Sequence, residues 1–234
     1  AAFPPAMTFA DPATKWNPNA ESLCSLAVTA LLTKLRAKAT TQAQFVAAAD
    51  RLMAILAEEG LARLATSVVV ETPCGSCGGL ELPEGHGLCA VNIVRSGGIM
   101  LEAVRRLCPD LKTAIILIQR DEATATPQLF YAKLPEDIAE KKVILCDPML
   151  GTGGSALMAI RVLAEAGVRH ESILFLNTVS CPEGLEALAA QAPGVRILTA
   201  AVDPGLNERK YISPGVGDFG DRYYGSAGYK EGLW

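Results

Sequence analysis

The residues of this chain best suited to chemistry lie together in CDPMLGTGGS, Cys146 to Ser155. An acid, Asp147, ends a short apolar run, Val143 to Cys146, and is followed by Pro148, Met149, Leu150 and then Gly151, Thr152, Gly153, Gly154 and Ser155. Glycines let the backbone bend with positive φ and approach an anion closely, while a helix starting here adds unpaired amides and a favourable dipole. Thr152 and Ser155 add hydroxyl donors. A carboxylate repels phosphate, so Asp147 suits a sugar instead, accepting hydrogen bonds from a pair of ribose hydroxyls. The ligand this spacing predicts is a ribose phosphate.

Other motifs compete for the same stretch. The Walker loop needs GxxxxGK[ST], and no Lys lies between Asp147 and Arg161. Gly151, Gly153 and Ala156 fit the GxGxxA dinucleotide fingerprint, but that motif wants an acid at the end of the next strand, and the run Ile173 to Leu176 ends at Asn177 and Thr178. A glycine-rich connection with no ligand is the plain alternative.

A second turn of similar design follows LCAVNIV, Leu88 to Val94, where Arg95, Ser96, Gly97 and Gly98 lead into a helix expected from about Ile99 to Leu107. In open parallel sheets the ligand crevice lies beyond the carboxyl ends of the strands, so the two turns can face one cavity. A guanidinium binds phosphate oxygens in a bidentate fork, which fits Arg95 to a pyrophosphate. An arginine at a strand end is otherwise an ordinary surface charge.

Both turns need a scaffold. From Ala20 to Leu64 the apolar spacing is helical, with Ser22 a cap for a first helix and Thr40 or Thr41 for a second. Strands are expected at Val68 to Val70, around Leu80 and Leu82, at Ala114 to Ile118, Ile173 to Leu176 and Val195 to Ala200, with a helix from about Leu185 to Ala190. Alternating strands and helices predict an α/β fold with a mostly parallel central sheet flanked by helices. Residues 1–19, rich in Ala and Pro and without the features of a secretory signal, are expected to be a flexible N-terminal segment before a single domain over 20–234. Residues 203–225 are punctuated by Pro204, Gly205, Pro214, Gly215, Gly217, Gly220 and Gly225, which by composition is a surface lid or a linker.

Half of the 234 residues are hydrophobic, enough for one large core. A net charge of −4 with scattered basic residues leaves no nucleic-acid footprint, and no apolar run approaches a bilayer's thickness. Seven cysteines without a framework indicate reduced thiols and a cytoplasmic setting. Cys74 and Cys77 form a CxxC with no second ligand pair spaced to complete a zinc site, so no protein metal site is expected.

CDPMLGTGGS resembles the phosphoribosyl pyrophosphate (PRPP) loop of the type I phosphoribosyltransferases, and its Asp147–Pro148 pair is similar to that of the uracil-specific members. LNERKYISPGVGDFGDRYYG, Leu206 to Gly225, resembles the uracil-binding segment of the same family, and the similarity covers about residues 30 to 225. The family's Arg-Ala-Gly-Leu-Gly-Met reads here Arg95, Ser96, Gly97, Gly98, Ile99, Met100, and its Tyr-Arg-Asp-Glu is matched by Gln119, Arg120, Asp121 and Glu122. The resemblance implies the type I fold, with a hood over 203–225 and a β-hairpin arm. It implies PRPP binding by Arg95, Arg120, residues 147–155 and Asp218.

Uracil presents two carbonyls flanking an N3 donor, an edge that backbone amides and a carbonyl can read. The resemblance gives this task to Ile212, Gly217, Asp218 and Phe219. Asp218 and Arg120 become the catalytic candidates, with Asp218 placed to help take the N1 proton and Asp221 structural. The implied reaction joins uracil to PRPP, yielding UMP and pyrophosphate, with Mg2+ held mainly by the pyrophosphate oxygens. The arm is expected at Gln128 to Lys133, whose Leu129, Phe130 and Tyr131 would be a liability in a monomer, so a homodimer or homotetramer is expected. A GTP effector, as some relatives have, stays open. Two alternatives remain: transfer to another base, or a PRPP- or nucleotide-binding regulatory module of the same fold with little turnover, which the altered turn after Arg95 favours.

Overall fold

The computed structural model describes residues 12–120 and 127–226. In chain order its elements begin with β1 (Ala20–Ser22), α1 (Leu26–Arg36), α2 (Gln42–Ala62), β2 (Thr66–Thr72) and β3 (Gly75–Glu81). Next come β4 (Leu88–Val94), α3 (Gly97–Leu107), β5 (Lys112–Arg120), β6 (Pro127–Lys133), β7 (Lys142–Cys146) and β8 (Met149–Leu150). The chain continues with α4 (Gly154–Glu165), β9 (Ile173–Ser180), α5 (Pro182–Gln191), β10 (Arg196–Val202), β11 (Gly205–Leu206), β12 (Ile212–Ser213) and α6 (Phe219–Tyr224).

The central sheet runs β1–β10–β9–β7–β4–β5–β6, with β8 added beside β9. Its pairings are parallel except β5 with β6. Successive side chains on a strand point to opposite faces, and here both faces are apolar, as a strand covered on each side by helices requires. Leu88, Ala90, Ile144, Cys146, Leu174 and Leu176 pack toward α1, α2 and α3. Cys89, Val91, Val143, Leu145, Ile173 and Phe175 pack toward α4 and α5. Helix α2 starts with a capping box, Thr41 and Gln44 satisfying each other's orphan amides, and buries Phe45, Leu52, Met53 and Leu56.

Four expectations are corrected. Ala20–Ser22 is not the start of a helix but an edge strand lying parallel to β10, and the cap of α1 is Ser25, whose hydroxyl accepts from Val28 N at 3.1 Å. Of the segment expected to be flexible, residues 1–11 lie outside the described residues, whereas 12–19 are tied down. Ala13 and Asn17 are buried, Asn17 Nδ2 donates to Leu185 O, and Asn19 O accepts from Ile197 N, because this stretch must feed β1 into the sheet. Finally, Gln128–Lys133 is not an arm. Strand β6 returns antiparallel along β5, where its amides complete the ladder at the sheet edge. The projecting hairpin is β2–β3, a separate two-stranded sheet with Val69 and Leu80 largely exposed.

Candidate active site

The loop after β7 is fixed from below. The Pro148 carbonyl accepts from Thr178 N and Val179 N, both at 3.0 Å, and Leu150 O accepts from Cys181 N at 3.2 Å. Gly153, at φ +80°, turns the chain into α4 through a left-handed conformation that a branched side chain resists. Thr152 Oγ1 accepts from Gly154 N at 3.4 Å, so the first turn of α4 and the hydroxyls of Thr152 and Ser155 surround the cup. Asp147 Oδ1 accepts from Met149 N at 3.3 Å, and Asn177 Nδ2 donates to the Asp147 carbonyl at 3.1 Å. Asn177 is itself fully buried, its Oδ1 accepting from the Ser180 and Thr199 hydroxyls at 2.7 and 2.9 Å. A buried polar group satisfied this way is rigid, and it holds the backbone at Asp147, which lines the cleft.

The second turn lies directly alongside. A Cβ on Gly97 would stand 2.2 Å from the Cys146 carbonyl oxygen, so only glycine lets α3 begin this close to the end of β7. The Val94–Arg95 peptide is cis. Arg95 reaches across to the hood: Nη2 donates to Asp221 Oδ1 at 2.7 Å, Nη1 to Ser226 Oγ at 2.6 Å, and Ser226 Oγ donates to Asp221 Oδ1 at 2.9 Å. Arg95 holds the Asp221 carboxyl below its usual range.

The hood is clamped by two arginines. Arg36 forms a fork on Asp203, at 2.8 and 2.5 Å, and donates to Gly215 O at 2.9 Å, while Gly215 N donates to Asp203 Oδ2 at 2.8 Å. Arg222 stacks over Phe45 and donates to the carbonyls of Leu35, Val216 and Ala37. Phe219 packs edge-on against Phe45, with ring centroids 5.1 Å apart. Asp218 caps α6, accepting from Asp221 N at 2.8 Å, with Arg95 Nη2 at 3.9 Å.

These three pieces enclose one cleft of about 440 Å³. Arg95, Asp147, Met149, Gly151, Ser155, Ile212, Gly217, Asp218 and Phe219 line it together. Pro148, Leu150 and Gly153 are buried behind the wall, and Thr152 and Gly154 shape the cup without reaching the lining. Arg120 ends β5, two residues beyond the lining residue Ile118, and its side chain lies outside the described residues. Ser96, Arg209, Lys210 and Tyr211 also line the cleft; they lie in segments expected there, but the sequence gives these four no individual role. Nor does it give one to Arg36, Asp203 and Asn177, whose partners lie far away in sequence and leave no local spacing to read.

The family model for uracil phosphoribosyltransferase matches residues 23–226. The chain is 50% identical over 199 residues to a uracil phosphoribosyltransferase of Saccharomyces cerevisiae, covering 83% of this chain and 90% of that protein. It is 44% identical to one from Dictyostelium discoideum, covering 84% and 91%. A uridine kinase-like protein of Arabidopsis thaliana matches at 42% identity over 83% of this chain but only 41% of its own length. Among solved structures, a protein from Aquifex aeolicus superposes with a TM-score of 0.75 at 28% identity, covering 88% of this chain and 97% of that one. An adenine phosphoribosyltransferase from Trypanosoma brucei shares the fold at 10% identity, with a TM-score of 0.52, over 82% and 87%. The family match over residues 23–226, with relatives 44–50% identical over most of the chain, shows that the chain belongs to the uracil phosphoribosyltransferase family.

Proposed function

We propose that the chain transfers the phosphoribosyl group of PRPP to N1 of uracil, giving UMP and pyrophosphate. One observation carries this reading: Gly151 and Ser155 of the proposed phosphate cup line the same cleft as Ile212, Gly217, Asp218 and Phe219 of the hood. In the reaction the bond from the sugar's C1 to the pyrophosphate oxygen breaks, the bond from C1 to N1 forms, and N1 gives up its proton. No covalent protein intermediate is needed, so the chain contributes positioning and electrostatics.

The cup and the start of α4 hold the 5′-phosphate, remote from the reacting carbon, so that binding energy is available to the transition state. Asp147, fixed through Asn177, accepts from the ribose hydroxyls. Arg95, which lines the cleft, is assigned to the pyrophosphate, and Arg120, at the end of β5, takes the same role by the family motif it matches. The backbone of Ile212, Gly217 and Phe219 reads the uracil edge, and Asp218 accepts the N1 proton; its capping of α6 and its place in the cleft lining support this role.

Mg2+ enters this scheme with PRPP. The described residues contain no group of three His, Cys, Asp or Glu side chains able to hold a metal, but Asp147 and Asp218 line the cleft, which fits an ion keeping phosphate oxygens and water as ligands. When bound, it supplies positive charge to the leaving pyrophosphate. All seven cysteines are free thiols, which suits the cytoplasm. The exposed β2–β3 hairpin, with Val69 and Leu80 on one face, suits a contact between two copies of the chain.

The test is to incubate the protein with PRPP, Mg2+ and, separately, uracil, orotate, adenine, guanine and hypoxanthine, following pyrophosphate. Release with uracil alone is expected. PRPP binding with no release for any base would overturn the reading.

A further inference from the structure

The charge on the described wall of the cleft is nearly balanced before any substrate arrives. Three cations line it, but Arg95 is already engaged by Asp221, and Asp147 and Asp218 add negative charge. A substrate with phosphates at both ends needs more. The remaining two cations, Arg209 and Lys210, stand on the tip joining β11 and β12. Among the described residues neither side chain enters an ion pair or a hydrogen bond, and both are exposed.

Where the tip lies identifies which phosphate it meets. A Cβ on Gly151 would stand 3.5 Å from Leu206 Cδ2, 3.8 Å from Ile212 Cγ1 and 3.9 Å from the Lys210 carbonyl oxygen. The tip therefore rests on the cup. It is also held in shape: Asn207 Oδ1 accepts from Arg209 N and Tyr211 N at 3.0 Å each, Lys210 N donates to Asn207 O and Asn207 N to Tyr211 O, both at 2.8 Å. Lys210 has φ +61°, the one positive φ outside glycine among the described residues. Glycine adopts this conformation without cost and lysine does not. For the turn alone glycine would be the better residue, so the lysine is explained by its ammonium, a compact point charge suited to phosphate.

We propose that Arg209 and Lys210 are further phosphate-binding residues, closing over the 5′-phosphate seated in residues 151–155. The inference rests on the PRPP reading above and assigns to the hood tip a task at the other end of the substrate from its base.

Ribose 5-phosphate and inorganic pyrophosphate, titrated separately by calorimetry, test it without turnover. Lys210→Gly should weaken ribose 5-phosphate binding by about ten-fold or more, the effect of losing a hydrogen bond to a charged group, with pyrophosphate affinity unchanged. Its melting temperature should hold or rise, since glycine suits the turn, so weaker binding could not be ascribed to unfolding. Arg209→Gln should weaken ribose 5-phosphate in the same direction. Wild-type affinity for ribose 5-phosphate in both variants would overturn the proposal, as would an equal loss of pyrophosphate affinity. Failure of the parent protein to make UMP, with these binding differences intact, would instead sink the proposed reaction and leave the phosphate assignment standing.

Discussion

Removing the Asp203 carboxylate tests how the hood is held. The side chain is 6% exposed and accepts three hydrogen bonds, two from Arg36 at 2.8 and 2.5 Å and one from Gly215 N at 2.8 Å. Asp203→Ala leaves the Arg36 guanidinium with Gly215 O at 2.9 Å and strips the Gly215 amide of its acceptor. Deleting one partner of a buried pair costs about 3–5 kcal/mol. Arg36 is 26% exposed, so water recovers part of the loss and about 3 kcal/mol is the expectation. At about 2–4 °C per kcal/mol for a chain of this size, the melting temperature should fall by roughly 6–12 °C. Gly215 lies between Ile212 and Gly217, so the KM for uracil should rise more than that for PRPP. Thermal melts and steady-state kinetics with each substrate varied read both effects. The double variant Arg36→Met, Asp203→Leu should recover much of the stability, since an apolar pair can replace a buried ionic one, without restoring uracil KM. A melting temperature within 2 °C of wild type and an unchanged uracil KM in Asp203→Ala would refute the clamp.

Further outcomes are expected at the cleft itself. Asp218→Asn keeps an oxygen to cap α6 and should preserve the melting temperature while greatly lowering UMP formation; unimpaired turnover would remove its charge from the chemistry. Gly153→Val forces a branched residue to φ +80° and sets its Cβ 3.2 Å from Leu188 Cδ1, so PRPP binding by calorimetry should be lost. Arg95 depresses the folded pKa of Asp221, so this pair stabilises the chain fully above the unfolded carboxylate value of about 3.9 and loses that contribution as pH falls through the lower folded value. Urea melts should accordingly show Asp221→Asn less stable than wild type at neutral pH, with the difference shrinking below about pH 4.

What could be read from the chain divides along a physical line. Strands β4, β7 and β9 announce themselves as apolar runs because both of their faces are buried, and the glycines of the two turns mark the ends of β4 and β7. Those signals are local, so they survive in sequence. The edge strand β1 is three residues long, too short to show a period, and was absorbed into the helical pattern that follows it. The exposed apolar residues of β6 and of the β2–β3 hairpin look alike in sequence, and only the pairing of β6 with β5 distinguishes a sheet edge from a projecting arm. At the cleft, the glycine-rich cup was legible, but Arg36, Asp203 and Asn177 act through partners on other elements.

The two tasks proposed for the hood rest on different mechanics. The turn at 212–219, proposed to read the base, is fixed on one side by Arg36 and Asp203 and on the other by Arg222 over Phe45, so little conformational freedom remains to be lost when a flat base enters. The hood's tip is hydrogen-bonded through Asn207 but presents long side chains with no ion pair among the described residues, which gain order only when an anion is there to meet them. On the proposed reading, uracil recognition is thereby preorganised, whereas ordering of Arg209 and Lys210 is coupled to the phosphate. A bound phosphoribosyl group should therefore stiffen the 207–211 tip more than the 212–219 turn. Amide hydrogen exchange with and without ribose 5-phosphate compares the two segments directly, and greater protection gained in 212–219 than in 207–211 would reverse this division of labour.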